Sequence, residues 1–330
     1  MRNASLMLLL VGLLFVSCKE EKPQLTEAKG TPSELLVVLP SSLVDSEIAD
    51  TLQTITDCDA PGLGSSERIF RTMTIGEKGY QKVYKLMHSQ LRVEIDPQQK
   101  EPVLGVAQNV SARPQLQLMV KAATPESLGR FLSQNRERIQ YLILDFQLDR
   151  WAAMLQKKHS RKVSDELRRM GYDVCMPVDM ASAKRGKDFL WCSSNRGGDK
   201  DINFVFYTLP WNDEDVGDVE RFVHHRDSVL RANIPGAQEG QWMETMRTEE
   251  GEPVLWPLLR RGGQQLEVRG LWSMHGGFMG GPFIAHVQID TTARRLVVSE
   301  GFVFSPNSAK RDLLRSVEAG LRTLRPLPKD

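Results

Sequence analysis

The period of the hydrophobic positions changes several times along the chain, and each change marks an element. Leu35 to Leu39 is a continuous apolar run stopped by Pro40, the pattern of a strand covered on both faces. Leu43, Val44, Ile48, Leu52 and Ile55 then recur at near-helical spacing and predict a helix over 42–56. Ala60-Pro61-Gly62-Leu63-Gly64-Ser65 breaks it; the full Gly-x-Gly-x-x-Gly phosphate fingerprint is missing, so this segment reads as a plain loop. Strands are predicted over 68–75, 91–95, 103–110 and 115–122, with a helix over 80–89 that buries Val83, Leu86 and Met87. Thr124-Pro125-Glu126 supplies an N-cap hydroxyl, a proline at the first helical position and an acid near the positive end of the dipole. The helical period then continues, with one break, to Met170 and a capping Gly171.

The second half repeats a different order. Strands are predicted over 172–178, 188–193 and 202–209, followed by an acidic loop and a helix over 216–231. Strands over 241–246, 254–259, 266–272, 282–289 and 295–303 come next, and a helix over 310–324 closes the chain. Strand–helix–strand alternation is lacking, so the expected class is α+β: mostly antiparallel sheets flanked by helices, in two α/β subdomains joined by a long helix. The expected divisions are 33–170 and 171–330.

The N-terminus changes the picture from a globular chain to an anchored one. Arg2 and the apolar run Leu6 to Val16 form a secretion signal too short to span a bilayer. Phe15-Val16-Ser17-Cys18 resembles a bacterial lipobox, which predicts cleavage after residue 17 and lipidation of Cys18. Each buried lipid methylene contributes about 0.8 kcal/mol, so two or three acyl chains hold a protein that one would not. Residues 18–32 are polar, with Pro23, Gly30 and Pro32, and read as a flexible tether. Lys19-Glu20-Glu21-Lys22 fits either a surface-export signal or a solvated tether. The expected location is the outer membrane, anchored by lipid, on its periplasmic or cell-surface face.

Charge excludes one class of partner. Lys and Arg total 43 against 42 Asp and Glu, and no basic block is interleaved with aromatics, which argues against nucleic acid. The cluster Lys157, Lys158, His159, Arg161 and Lys162 reads as a solvated helix face. Asp213, Asp215 and Asp218 lack the glycine and terminal glutamate of a calcium loop; Asp215 as a helix cap with Asp218 in the first turn explains them better. His224 and His225 are adjacent on a helix and point to different sides, so they cannot share a metal. No cofactor or metal set is implied.

Cys175 and Cys192 fall in strand-like runs; a hairpin centred near Ala183 and Lys184 would place them opposite each other as a candidate disulfide, with two reduced thiols the alternative. The most unusual stretch is Arg269 to Phe283, with two glycine pairs between strands. Its glycines allow a bend that places Trp272, His275, Phe278, Met279 and Phe283 either in a core or on a candidate binding loop. No Gly-x-Ser-x-Gly, His-Glu-x-x-His or P-loop motif is present, and no catalytic residue is assigned. A hydrolase acting on envelope glycan or other extracellular material is the alternative, with His275, His286, Asp290 and Glu300 gathered on the last sheet.

Several segments together carry a family resemblance. They are Glu34-Leu35-Leu36-Val37-Val38, Arg113-Pro114-Gln115-Leu116, His225-Arg226-Asp227-Ser228-Val229-Leu230, Ile234-Pro235-Gly236, Arg269-Gly270-Leu271-Trp272, Phe278-Met279-Gly280-Gly281-Pro282-Phe283 and Glu300-Gly301-Phe302-Val303-Phe304. The chain resembles the Bacteroidetes lipoprotein family catalogued as domain of unknown function 4837. That resemblance implies a lipid-anchored envelope protein with no known catalytic residues to carry across. In order of elements the second half is also similar to the PsbP-like fold, which implies a binding or assembly role by analogy of fold. The expected partners are the membrane, through the N-terminal lipid, and an envelope protein, glycan or lipid.

Overall fold

The computed structural model describes residues 25–194, 200–211, 218–261 and 265–328. The first sheet contains β1 (Glu34–Leu39), β2 (Arg71–Gly76), β3 (Ser89–Ile95), β4 (Val103–Gln108) and β5 (Leu116–Ala122), in the order β2-β1-β3-β5-β4. Helix α1 (Glu47–Thr56) separates β1 from β2, and α2 (Pro125–Gln134) and α3 (Arg136–Lys157) follow β5. Alternate residues of β1 serve two faces, as the pleat requires. Leu35, Val37 and Leu39 pack under the three helices, whereas Leu36 and Val38 meet Met87, Tyr80 and Tyr84.

Local chemistry fixes the helix starts. The Ser46 hydroxyl accepts from the Ile48 N–H at 3.3 Å to open α1. Thr124 and Ser127 cap each other reciprocally at α2, with Pro125 at the first turn. Three expectations change here. The pairs β1–β2, β1–β3 and β3–β5 are parallel and only β4–β5 is antiparallel, because α1 carries the chain back over the sheet between β1 and β2. The segment predicted as a helix over 80–89 forms 3₁₀ turns at Glu77–Gly79 and Lys82–Leu86 and then enters β3. The end of the expected tether is fixed: Ala28 is buried, and Lys29 N–H donates to the Leu86 carbonyl at 2.8 Å.

The second unit begins with α4 (Arg161–Arg168) and β6 (Tyr172–Asp173), then β7 (Ser182–Gly186), β8 (Phe189–Ser193) and β9 (Asp201–Pro210). It continues with α5 (Val219–Asn233), β10 (Trp242–Thr245), β11 (Leu255–Arg261), β12 (Gln265–His275), β13 (Gly280–Asp290), β14 (Arg295–Phe304), α6 (Arg311–Leu321) and β15 (Arg325–Pro326). Its eight-stranded sheet runs β10-β12-β13-β14-β9-β8-β7, with β11 also paired to β12; all its pairs are antiparallel. One face packs Val205, Tyr207, Trp272, Phe283 and Phe302 against Phe222, Val223 and Leu230 of α5. The other packs Phe204, Phe206, Ile284 and Val303 against Leu314, Val317 and Leu321 of α6 and Val163 and Leu167 of α4. The class is therefore α+β. The predicted run from Ser127 to Met170 is three helices, and the last of them, α4, packs in the second unit although the expected division placed it in the first.

The expected cysteine hairpin is absent for a topological reason. Strand β6 pairs with β15, while β8 pairs with β7 and β9 and places Cys192 opposite Ala183 and Phe204. Cys175 instead packs with Leu148, Leu155 and Ala319, and both thiols are free. Burial pushes the Cys192 thiol up to about 12, so it stays protonated.

Candidate functional site

The two units meet along α3 and α6, and the junction is built mainly of polar groups far apart in sequence. Helix α6 has no side-chain cap of its own; the Glu67 carboxylate, from the loop before β2, accepts from the backbone N–H groups of Lys310 at 2.7 Å and Arg311 at 3.0 Å. Asp312, in the first turn, accepts from Ser33 Oγ at 2.6 Å and pairs with Arg71 at 2.6 Å. Arg311 Nη1 donates to the Arg68 carbonyl at 2.7 Å. An apolar plug completes the join, since Leu63 of the first unit is buried in the core of the second. Gly62 and Gly64 hold positive φ in that loop, and a Cβ at Gly64 would stand 2.9 Å from Leu271.

Behind this plug lies a cavity of about 190 Å³ between α3, α6 and β12. The strand period of two sends Glu267 and Arg269 of β12 to the same face, toward α6. Arg269 Nη2 bridges Glu267 Oε1 and Glu318 Oε1, both at 2.9 Å. Burial opposes the charge on Arg269, but Glu318 and Glu267 outweigh it and raise its pKa. Burial likewise works against ionised Glu267, yet the neighbouring His286 and the Arg269 guanidinium hold its carboxyl well below the usual range. Arg322 Nη1 pairs with Asp149 at 2.8 Å and Asp145 at 3.1 Å on α3.

Arg315 stands apart from these pairs. Its Nη1 donates to Ser33 Oγ at 2.9 Å and its Nη2 to the Ile69 carbonyl, both neutral acceptors. Burial, reinforced by the nearby charge of Arg311, lowers its pKa to about 10 against the opposing pull of Glu318 and Asp312. A larger groove of about 720 Å³ runs between α1 and α2, but it is open, and its Ser46 hydroxyl already serves its own helix.

The sequence-derived residues divide between core and surface. Arg269 to Phe283 is a hairpin: Gly270 pairs with Phe283 and Ser273 with Gly280, and the turn occupies 276–279. Trp272 is 1% exposed, donates from Nε1 to the Val303 carbonyl at 3.2 Å and packs edge-on to Phe302. Phe283 is wholly buried, with the Arg226 guanidinium 3.8 Å above its ring. These two are therefore core anchors and not binding-loop contacts, because the strands extend further into the glycine-rich stretch than its composition implies. At the tip Phe278 is fully exposed and Met279 is exposed. His275 stacks on Trp242 at 3.9 Å, and Arg231 covers the same indole at 3.9 Å. Cys18 lies outside the described residues, as do Asp213 and Asp215; Asp218 caps α5 through the Arg221 N–H.

The four residues considered for hydrolysis do not converge. Glu300 is buried on the α5 face, where Arg226 Nε and Nη2 fork onto its two oxygens at 2.9 and 2.7 Å. Burial pushes the Glu300 carboxyl up, and the Arg226 charge opposes it. His286 lies on the opposite face, 3.4 Å from Glu267 Oε2 without hydrogen-bond geometry. Asp290 sits at the strand end with Tyr172 and Arg295, and His275 pairs with Glu244 at 3.3 Å. Among the described residues no group of three His, Cys, Asp or Glu could hold a metal ion. Sequence reading missed Arg315 and Glu67 because their partners lie more than 240 residues away. Arg269 is the one residue of the conspicuous stretch that reaches the cavity.

No curated protein matches the chain. A crystal structure of a Bacteroides thetaiotaomicron protein aligns with 48% of this chain and 46% of its own, at 12% identity and a TM-score of 0.26. The chain thus spans under half the length of that neighbour. The family described as domain of unknown function (DUF8532) matches residues 28–156. A second profile, covering the eight-stranded sheet with α4, α5 and α6, matches residues 159–323, half of the chain, which therefore belongs to the family described as domain of unknown function (DUF4837).

Proposed function

We propose that this is a lipid-anchored envelope protein that binds a ligand between its two units and does not transform it. The observation that carries the reading is the cavity between α3 and α6, walled by apolar side chains and by carboxylates already committed to arginines. Glu267, kept ionised by Arg269 and His286, is not available to exchange a proton near neutrality, so it is suited to orienting a ligand. The secretion signal and the lipobox ending at Cys18 support the anchor limb of this reading, with the outer membrane as the proposed location. No helix among the described residues is long and apolar enough to cross a membrane, which is compatible with attachment through lipid alone. The hairpin tip, with Phe278 exposed, is a second surface on which an envelope partner could rest.

The test is native mass spectrometry of the full-length protein extracted from membranes, with Leu144→Trp as the filled-cavity control. The expected result is one small molecule bound per chain in the wild type and none in the variant. Turnover of envelope glycan by the purified wild type, without a retained ligand, would contradict the reading. Cys18→Ala is expected to remove acyl mass and release the chain from the membrane fraction.

A further inference from the structure

The cavity's dimensions and chemistry restrict what can occupy it. Its volume of about 190 Å³ somewhat exceeds the roughly 150 Å³ of an engineered apolar cavity that takes up benzene, so it suits a body of about six carbons. Leu144 and Leu148 of α3 and Leu314 of α6 supply apolar wall, with Leu63 and Ile69 at the junction loop. The polar wall carries four guanidinium groups, Arg269, Arg311, Arg315 and Arg322, against three carboxylates, Asp145, Glu267 and Glu318.

Two of these arginines leave capacity for an anion: among the described residues Arg315 lacks a carboxylate partner, and Arg322 keeps one N–H donor free. The hydrogen bonds of Arg315 end on a hydroxyl and a carbonyl, and no carboxylate stands within ion-pair distance of it among the described residues. Arg322, only 9% exposed along its side chain, has a buried Nε–H without an acceptor, although its Nη1 pairs with Asp145 and Asp149 and its Nη2 lies 3.7 Å from Glu318. A buried cation facing only neutral acceptors and a buried N–H facing none are both relieved by one bound anion. A cationic occupant would relieve neither, and a neutral acceptor would satisfy the Arg322 N–H while leaving the Arg315 charge unpaired.

We infer that the cavity between α3 and α6 takes a small carboxylic acid, its carboxylate received by Arg315 and Arg322 and its hydrocarbon body lying against Leu144, Leu148 and Leu314. This rests on the binding reading above and adds the ligand's charge and size. The bound acid also touches both units at once, since α3 belongs to the first and α6 to the second, so occupancy tightens the junction.

The probes are hexanoate, hexanamide and hexylamine, three molecules of one shape and different charge, titrated into the full chain at pH 7.5 and followed by ligand-detected NMR. Hexanoate is expected to bind saturably, at least tenfold more tightly than hexanamide, with hexylamine not binding. Leu144→Trp is expected to abolish binding while keeping the wild-type circular dichroism. Arg315→Gln is expected to reduce the preference for hexanoate over hexanamide to less than threefold. Should Arg315→Gln fail to fold, the ratio of hexanoate to hexanamide affinity in the wild type decides the matter alone. Equal binding of hexanoate and hexanamide, lost in Leu144→Trp, would overturn the anion assignment and leave the cavity as a binding site. Failure of all three probes to bind saturably, or binding untouched by Leu144→Trp, would overturn the cavity itself.

Discussion

Arg226 and Glu300 form a forked ion pair with both side chains wholly buried, and Arg226 also donates from Nη1 to Thr245 Oγ1 at 2.8 Å. Such a pair costs desolvation on both sides, so its removal as a unit is cheaper than the removal of one partner. Glu300→Gln is expected to cost about 3–5 kcal/mol in urea unfolding, and the double change Arg226→Met with Glu300→Leu distinctly less. His88 gives a pH prediction of the same kind. Its Nε2 donates to the Thr31 carbonyl and its Nδ1 meets Ser89 Oγ, each at 2.7 Å, contacts that a neutral ring with its proton on Nε2 satisfies. Burial lowers its pKa from 6.5 to about 4 against the opposing Thr31 contact. The unfolded chain therefore takes up the proton first. The stabilisation from a neutral His88 is full above about pH 6.5 and is lost as pH falls toward 4, amounting to about 3 kcal/mol. Unfolding free energies measured from pH 7.5 to 4 should show this slope, and His88→Asn should flatten it. Neither residue was legible beforehand: a buried histidine and a buried arginine look like surface polar residues until their partners are known.

At the scale of elements, the sequence pattern was most informative where one face or both are buried along a whole strand. Leu35 to Leu39 was readable because its apolar run is continuous, and Ile202 to Tyr207 and Arg295 to Val303 because apolar residues dominate strands that lie between layers, with Asn203, Ser299 and Glu300 the buried polar exceptions. Strand direction in the first sheet was not readable, since the long connection between β1 and β2 permits either sense. The stretch from Val174 to Val178 has strand composition, yet only β6 pairs, and Met176 is buried among side chains without joining the sheet. In the β12–β13 hairpin the glycines permit close approach within the strands. A Cβ at Gly281 would collide with the Val303 carbonyl and stand 3.2 Å from Trp272 Nε1. Gly281→Ala is expected to cost about 2–3 kcal/mol and to change the Trp272 environment in near-UV circular dichroism. Phe278→Ser, at the exposed tip, should leave stability within about 0.5 kcal/mol of wild type.

At the scale of the whole molecule, the junction of the two units governs the proposed function. Leu63 lies in the core of the unit to which it does not belong by sequence, and Glu67 caps a helix 243 residues downstream. Leu63→Asp places a charge in that core and should split a single thermal transition into two in calorimetry, as the units lose their coupling. The loop around Gly62 and Gly64 was legible as a loop, but its role as a latch was not, because nothing local records what it latches onto. The same holds for the cavity, whose walls come from four separated stretches of chain. The most direct measurement of the central claim is hydrogen–deuterium exchange of the full chain with and without saturating hexanoate. Slower exchange is predicted at 61–64, 141–148 and 311–318, with 276–279 unchanged. Protection confined to 276–279, or no change at the junction, would contradict the account.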